Sequence, residues 1–214
     1  MELPVFIING FLESGKTAFI KDTLKGEDFN DGTRSLIIAC EDGEEEYSEI
    51  EMQKVNAKVV FVEDMDEFTK DFFIAKCNES KAERVFVEFN GMWNLGDFID
   101  KLPSFMPVAQ IITLVNAETY DMYLANMKQL MMEQYKLSEM VIINRCTKDS
   151  DRAAYRRSVK AVNHQTEVPM KLKRYCRLTS LKMRLILPTV IMESGIWMQW
   201  IILKNMTVKL LKLK

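Results

Sequence analysis

Val5-Phe6-Ile7-Ile8, followed after one residue by Gly10-Phe11-Leu12-Glu13-Ser14-Gly15-Lys16-Thr17, is the stretch on which the reading of this chain turns. The second segment satisfies G-x-x-x-x-G-K-[ST] at every fixed position. The order is then a strand, a glycine-bounded loop and the start of a helix. A loop of this kind turns successive backbone N–H groups inward around phosphate, Lys16 reaches the terminal phosphates, and the Thr17 hydroxyl can serve Mg²⁺. Phosphate also lies against the positive end of the helix that begins near Thr17. Gly10, Glu13, Ser14, Gly15, Lys16 and Thr17 are therefore the candidate phosphate-binding residues.

Beyond the loop, apolar residues recur at helical spacing over Thr17–Leu24, and Asn30-Asp31-Gly32 marks a turn before the strand Ser35–Ala39. The chain continues in alternation. A helix runs to about Val55, the strand Lys58–Val62 follows, and a helix spans Asp66–Asn78 before the strand Arg84–Val87. A helix over Leu95–Leu102, the strand Gln110–Val115, one long helix Glu118–Lys136, the strand Met140–Ile143 and a helix Asp149–Val162 complete it. Such alternation predicts an α/β fold of the P-loop NTPase kind, three-layer α/β/α with a mostly parallel central sheet. Its site belongs at the C-terminal ends of the strands. Gly10, the run Cys40 to Glu46, Glu88 and Asn144 all follow strands directly and are expected to converge on that edge.

Glu88 closes the strand before Asn90-Gly91, the layout of a nucleotide-sensing loop whose acid holds Mg²⁺ together with Thr17. Lys16, Thr17 and Glu88 are the residues expected to carry catalysis, with Thr17 and Glu88 on the metal and Gly91 beside the nucleotide. The acidic run Glu41–Glu46 reads first as a charged helix start and second as a loop that responds to the terminal phosphate. Cys40 with nearby carboxylates offers a mixed ligand set for an unspecified transition metal. Asn144-Arg145-Cys146-Thr147 stands where many GTPases carry Asn-Lys-x-Asp. Asn144 and the stem of Arg145 would hold a purine, but Thr147 cannot supply the charged acceptor that guanine takes from an aspartate. A charge-assisted hydrogen bond contributes roughly 1.5–3 kcal/mol, so guanine preference falls by one or two orders of magnitude unless Asp149 bends in. Trp93 and the methionines Met127, Met131 and Met132 read as packing residues.

The chain has 214 residues, with 29 basic and 31 acidic side chains. That near balance hides an asymmetry, for residues 164–214 hold roughly 10 basic and 2 acidic residues. The division expected is a nucleotide-binding domain over 1–163 and an atypical, poorly ordered basic tail over 164–214. Reverse translation offers a reason. Reading two nucleotides into the Met192 codon forces Gly there and Asp at three later junctions, and allowed codons elsewhere give GIWYMDAMDNPEKYDGK, an acidic string like the rest of the chain. The tail is accordingly read as out of frame rather than as a basic arm, so neither nucleic acid nor membrane is an expected partner. No apolar run approaches the ~18 residues of a membrane span. Scattered Cys40, Cys77, Cys146 and Cys176, without a basic apolar leader, suit a reduced, cytoplasmic protein.

With these motifs in hand, the chain resembles the CobW-like GTPases, relatives of the urease and hydrogenase nickel-insertion GTPases. G-F-L-E-S-G-K-T resembles the family's G-F-L-x-[SA]-G-K-T, E-F-N-G its E-x-x-G with Glu in place of the usual Asp, and N-R-C-T its N-K-x-D, over roughly residues 3–163. The resemblance implies GTP or GDP with Mg²⁺ as ligands, Lys16 on phosphate, Thr17 and Glu88 on Mg²⁺, and Asn144 at the base. It also implies a metallochaperone role toward a client metalloprotein. The family's C-x-C-C motif and a histidine-rich segment have no counterpart in this sequence, so metal delivery rests on the resemblance. The expected function is that of a Mg²⁺-dependent GTPase coupling nucleotide state to metal-cofactor delivery or a partner protein. The alternative is a nucleotide-dependent binding module with little hydrolysis or relaxed base specificity.

Overall fold

The structure is a computed structural model and describes residues 2–41, 43 and 45–170. Six strands form one sheet: β1 (Val5–Asn9), β2 (Ser35–Ala39), β3 (Ala57–Phe61), β4 (Arg84–Glu88), β5 (Val108–Asn116) and β6 (Met140–Asn144). Their order is β3-β2-β4-β1-β5-β6, and every neighbouring pair is parallel. Parallel neighbours need crossovers, which are the helices α1 (Lys16–Lys25), α2 (Glu49–Lys54), α3 (Lys70–Ser80), α4 (Leu95–Lys101), α5 (Tyr120–Asn126) and α6 (Lys128–Leu137). The helix α7 (Arg152–Val162) follows β6. This is the P-loop NTPase architecture, with a sheet that is wholly parallel.

All residues of β1, β2, β4 and β6 are buried, as a sheet covered on both faces requires. Alternation sorts them. Val5, Ile7, Leu36, Ile38, Val85 and Val87 join Phe68, Phe73, Phe89 and Phe98 in one cluster, to which Trp93 adds its ring edge-on to Phe68 and Phe89. Phe6 and Phe86 stack at 5.1 Å between ring centres, with Phe29 edge-on to both. A further cluster, with Val141 and Ile143 against Met131, Tyr135, Tyr155 and Val159, fills the β6 side, and Met127 and Met132 pack against it. Fully burying one such side chain contributes roughly 1.5–3 kcal/mol.

One expectation from sequence is corrected. The single helix Glu118–Lys136 is two, α5 and α6, separated at Met127, whose φ of −134° leaves the helical range. Beside the break the Asn126 side-chain amide donates to the Met122 carbonyl at 2.8 Å, in competition with the backbone for that acceptor. The packed chain also continues past residue 163. Residues 164–170 run parallel to β6, bridging Met140 to Glu167 and Ile143 to Met170. Val141 and Ile143 donate to the carbonyls of Glu167 and Pro169, and Glu167 donates to Glu139. Thr166 and Val168 are buried on either side of exposed Glu167. The remainder of the proposed tail, 171–214, lies outside the described residues. No described helix is long and apolar enough to cross a membrane.

Candidate nucleotide-binding site

β1 ends in Asn9, whose Oδ1 accepts the Gly10 N–H at 2.8 Å and starts the turn into the loop. Gly10 has φ +138°, and a Cβ there would lie 2.3 Å from the Leu114 carbonyl, so only glycine lets the loop leave the sheet between β1 and β5. Glu13 and Gly15 adopt left-handed backbone at φ 59° and 89°, folding the loop back on itself. Gly15 caps α1 with no side chain on the first-turn N–H groups, which leaves them available to an anion. Ser14 Oγ is buried in the loop without a protein partner. Asn144 Nδ2 reaches across from the end of β6 to the Ser14 carbonyl at 2.8 Å and ties the loop's back to the sheet.

Three groups meet in front of the loop. Lys16, 3% exposed, donates to the carbonyls of Gly10 and Phe11 at 2.8 and 3.0 Å and pairs with Glu41 at 2.5 Å. Thr17 Oγ1 donates to Glu88 Oε1 at 2.7 Å, and the Tyr47 hydroxyl donates to Glu88 Oε2. Burial pushes the Glu88 carboxyl above its ordinary range, and its hydrogen bonds from Tyr47 and Thr17 pull it back in part. Burial and then the Glu88 charge push the Tyr47 phenol well above its usual value, which keeps it a donor. On the third side, Glu41 Oε1 accepts the Gly91 N–H at 3.0 Å while Gln134 Nε2 donates to the Gly91 carbonyl at 2.8 Å. The Gly91 peptide is thus held from both ends. It also passes so close to the loop that a Cβ on Gly91 would lie 2.3 Å from the Gly10 carbonyl.

These residues enclose a cavity of about 380 Å³ lined by Leu12, Glu13, Gly15 to Ala18, Glu41, Gly43, Glu45, Glu88 and Arg145. Its donor set fits a phosphate with Mg²⁺: loop amides and an ammonium for the anion, and a hydroxyl and carboxylate, both hard oxygens, for the cation. At the far end Arg145 (φ 53°) lines the cavity, and its Nε is buried without a partner, as is Asn144 Oδ1. Thr147 is not among the residues that line the cavity. Its hydroxyl meets Ser150 Oγ at 3.3 Å and accepts the Asp149 N–H at 3.3 Å, a local turn.

Cys40 does not join the cavity. It packs in the apolar cluster beneath the sheet edge, and burial followed by the Glu88 charge pushes its thiol up, away from the thiolate a metal would take. Among the described residues no group of three or more His, Cys, Asp or Glu is arranged to hold a metal ion. Of the runs expected to converge, Gly10 with its loop, Glu41, Gly43 and Glu45 of the run after β2, and Glu88 meet at the cavity, Asn144 reaches the loop's Ser14 carbonyl, and Cys40 turns into the core. Sequence spacing did not reveal the reach of Glu41 to Lys16 and Gly91, the Tyr47 contact to Glu88, or the Gln134 support of Gly91. Tyr47 lies six residues past Glu41 in an acidic loop, and Gln134 sits mid-helix, so neither carries a local signal.

Residues 4–170 match the family model described as CobW/HypB/UreG, nucleotide-binding domain. No significant match was found among curated protein sequences. Similar solved structures include Zn(II)-bound YjiA GTPase from E. coli, with a TM-score of 0.60 and 16% identity over 78% of this chain and 57% of that one. Hydrogenase maturation factor HypB from Archaeoglobus fulgidus gives 0.53 and 14% over 80% of this chain and 82% of its own. HypB from Helicobacter pylori in complex with nickel gives 0.51 and 13% over 79% of each. At these identities the likeness is one of fold, and this chain spans little more than half the length of YjiA.

Proposed function

Because this chain belongs to the CobW/HypB/UreG nucleotide-binding family, we propose that it is a Mg²⁺-dependent GTPase whose nucleotide state is coupled to delivery of a metal cofactor or to a partner protein. The observation that carries this reading is the convergence of four strand ends, those of β1, β2, β4 and β6, on one cavity: Lys16 and open α1 amides at one wall, the Thr17–Glu88 pair at another. Lys16 would neutralise the terminal phosphates, the amides of residues 13–17 would cradle the inner ones, and Thr17 and Glu88 would hold Mg²⁺. Bound there, Mg²⁺ supplies charge neutralisation of the phosphates. Asn144 and Arg145 would meet the base. Metal handling comes from the family, since the described residues offer no cargo site of their own.

The test is phosphate release with GTP and ATP side by side, with and without Mg²⁺ and candidate divalent metals. Mg²⁺-dependent release that disappears in Lys16→Ala is expected. Release that persists in Lys16→Ala sinks the assignment. A second reading is favoured by Thr147, an uncharged residue at the motif's last position whose hydroxyl is engaged in a local turn with Ser150 and Asp149. On that reading the chain is a binding module of relaxed base specificity, marked by tight nucleotide binding without turnover and by equal affinity for GTP and ATP.

A further inference from the structure

Glu41 belongs to the acidic run after β2, yet it is not solvated like an ordinary charged helix start. Its side chain is 9% exposed, with Oε2 2.5 Å from Lys16 Nζ and Oε1 3.0 Å from the Gly91 N–H. Lys16 carries three N–H donors, and the carbonyls of Gly10 and Phe11 take two of them. Glu41 takes the third. The lysine on which phosphate recognition depends is thus fully satisfied by the protein itself.

The chemistry at this point resembles that of a bound anion. An ammonium and a backbone N–H on facing loops converge on a pair of oxygens carrying one negative charge. Inner phosphates would lie in the loop against the α1 amides, and an oxygen projecting beyond them would meet Lys16 and Gly91 together. Such an oxygen and the Glu41 carboxylate cannot share the space, because both are anionic and both require the same donors. The segment that follows Glu41 is fastened as well. Lys21 binds Glu45 at 3.2 Å, the Glu46 carbonyl at 3.2 Å and Glu51 at 3.1 Å, and Tyr47 bonds Glu88.

Resting on the nucleotide reading above, we propose that Glu41 is a built-in stand-in for the terminal phosphate and the residue by which the site distinguishes triphosphate from diphosphate. A nucleoside triphosphate enters fully only by expelling the Glu41 carboxylate from Lys16 and Gly91. A diphosphate, which does not extend to Gly91, leaves that half of the contact in place. Expulsion moves Glu41, and later residues of the same run hold Lys21 and Glu88, so arrival of the outermost phosphate is converted into displacement of Glu41 and, through it, of Glu45, Glu46 and Tyr47.

The experiment measures affinity for GDP and for a non-hydrolysable GTP analogue by calorimetry on the full chain, in wild type, Glu41→Gln and Glu41→Asp, together with the melting temperature without nucleotide. Glu41→Gln keeps the shape and an acceptor for Gly91 but removes the competing charge. It is expected to bind the analogue at least tenfold more tightly and GDP within threefold of wild type, and to melt lower without nucleotide because Lys16 loses its counter-charge. Glu41→Asp keeps the charge, is too short to bridge both donors, and is expected to fall between the two. Equal changes for both nucleotides, or weaker analogue binding in Glu41→Gln, would overturn the proposal. Should Glu41→Gln fail to fold, Glu41→Asp decides alone: no selective gain refutes the idea. Wild type that binds neither nucleotide refutes the nucleotide reading instead, and with it this inference, so the two failures are told apart by the wild-type titration.

Discussion

Replacing Gly91 by Ala perturbs the point at which two loops come closest. The added Cβ would lie 2.3 Å from the Gly10 carbonyl oxygen, 2.7 Å from its carbon and 3.0 Å from the Phe11 nitrogen, all backbone atoms that cannot rotate away. Relief therefore requires the Gly91 loop and the phosphate loop to separate by roughly 0.7 Å or more, an overpacking strain of about 1–3 kcal/mol. In a domain of this size that lowers the melting temperature by roughly 2–4 °C for each kcal/mol. The displaced carbonyl of Gly10 is the one that holds Lys16 at 2.8 Å, and the moved peptide loses alignment with Glu41 and Gln134. Nucleotide affinity should fall along with stability, read by titration of a fluorescent GTP analogue alongside a thermal melt. Gly32→Ala is the control. That glycine has φ +86° with nothing within 4 Å of its Cβ position, so the substitution should strain the backbone by about 1 kcal/mol and leave nucleotide binding untouched. A Gly91→Ala protein that melts within a degree of wild type and binds the analogue normally would refute the reasoning.

Glu88→Gln should raise the Mg²⁺ concentration needed for hydrolysis more than it weakens Mg²⁺-free nucleotide binding; an unchanged Mg²⁺ titration would reduce Glu88 to a strand-end acid bonded to Thr17 and Tyr47. Thr147→Asp should improve the ratio of GTP to ATP affinity by about tenfold, the value of one charge-assisted hydrogen bond, and an unmoved ratio in competition binding would show that guanine is read elsewhere. Truncation after Met170 should leave nucleotide affinity unchanged, whereas truncation after Val162 removes buried Thr166 and Val168 and the backbone bonds to Val141 and Ile143, and should lower the melting temperature. Equal melting of the two truncated chains would mean that residues 163–170 stabilise nothing.

The phosphate loop was legible because its chemistry imposes residue types at fixed spacing, and the succession of strands along the chain because each apolar run is short and bounded by turn residues. Glu88 and Gly91 could be placed at the same edge for a topological reason: in a parallel sheet every strand ends on one side. What escaped was set by contacts between distant segments. Gln134 on a helix looks like any polar residue at helical spacing until the Gly91 carbonyl is found 2.8 Å from its amide. The break at Met127 has no glycine or proline to announce it. The boundary near 163 was drawn on charge composition, which does not register the alternation of buried Thr166, exposed Glu167 and buried Val168 over so few residues.

Asn144 shows how one side chain can be committed twice. Its amide nitrogen supports the Ser14 carbonyl at 2.8 Å while its oxygen lies buried without a protein partner, free for the base the motif proposes. Removing the residue would slacken the phosphate loop whatever base the site accepts, so a lost affinity in such a variant does not report base recognition. Drift in base preference therefore has an easy direction. Thr147, turned into its own local turn, can vary without touching the loop, whereas Asn144 stays bound to the architecture of phosphate binding, and a lineage changing its nucleotide would keep the first letter of this motif long after the last had gone.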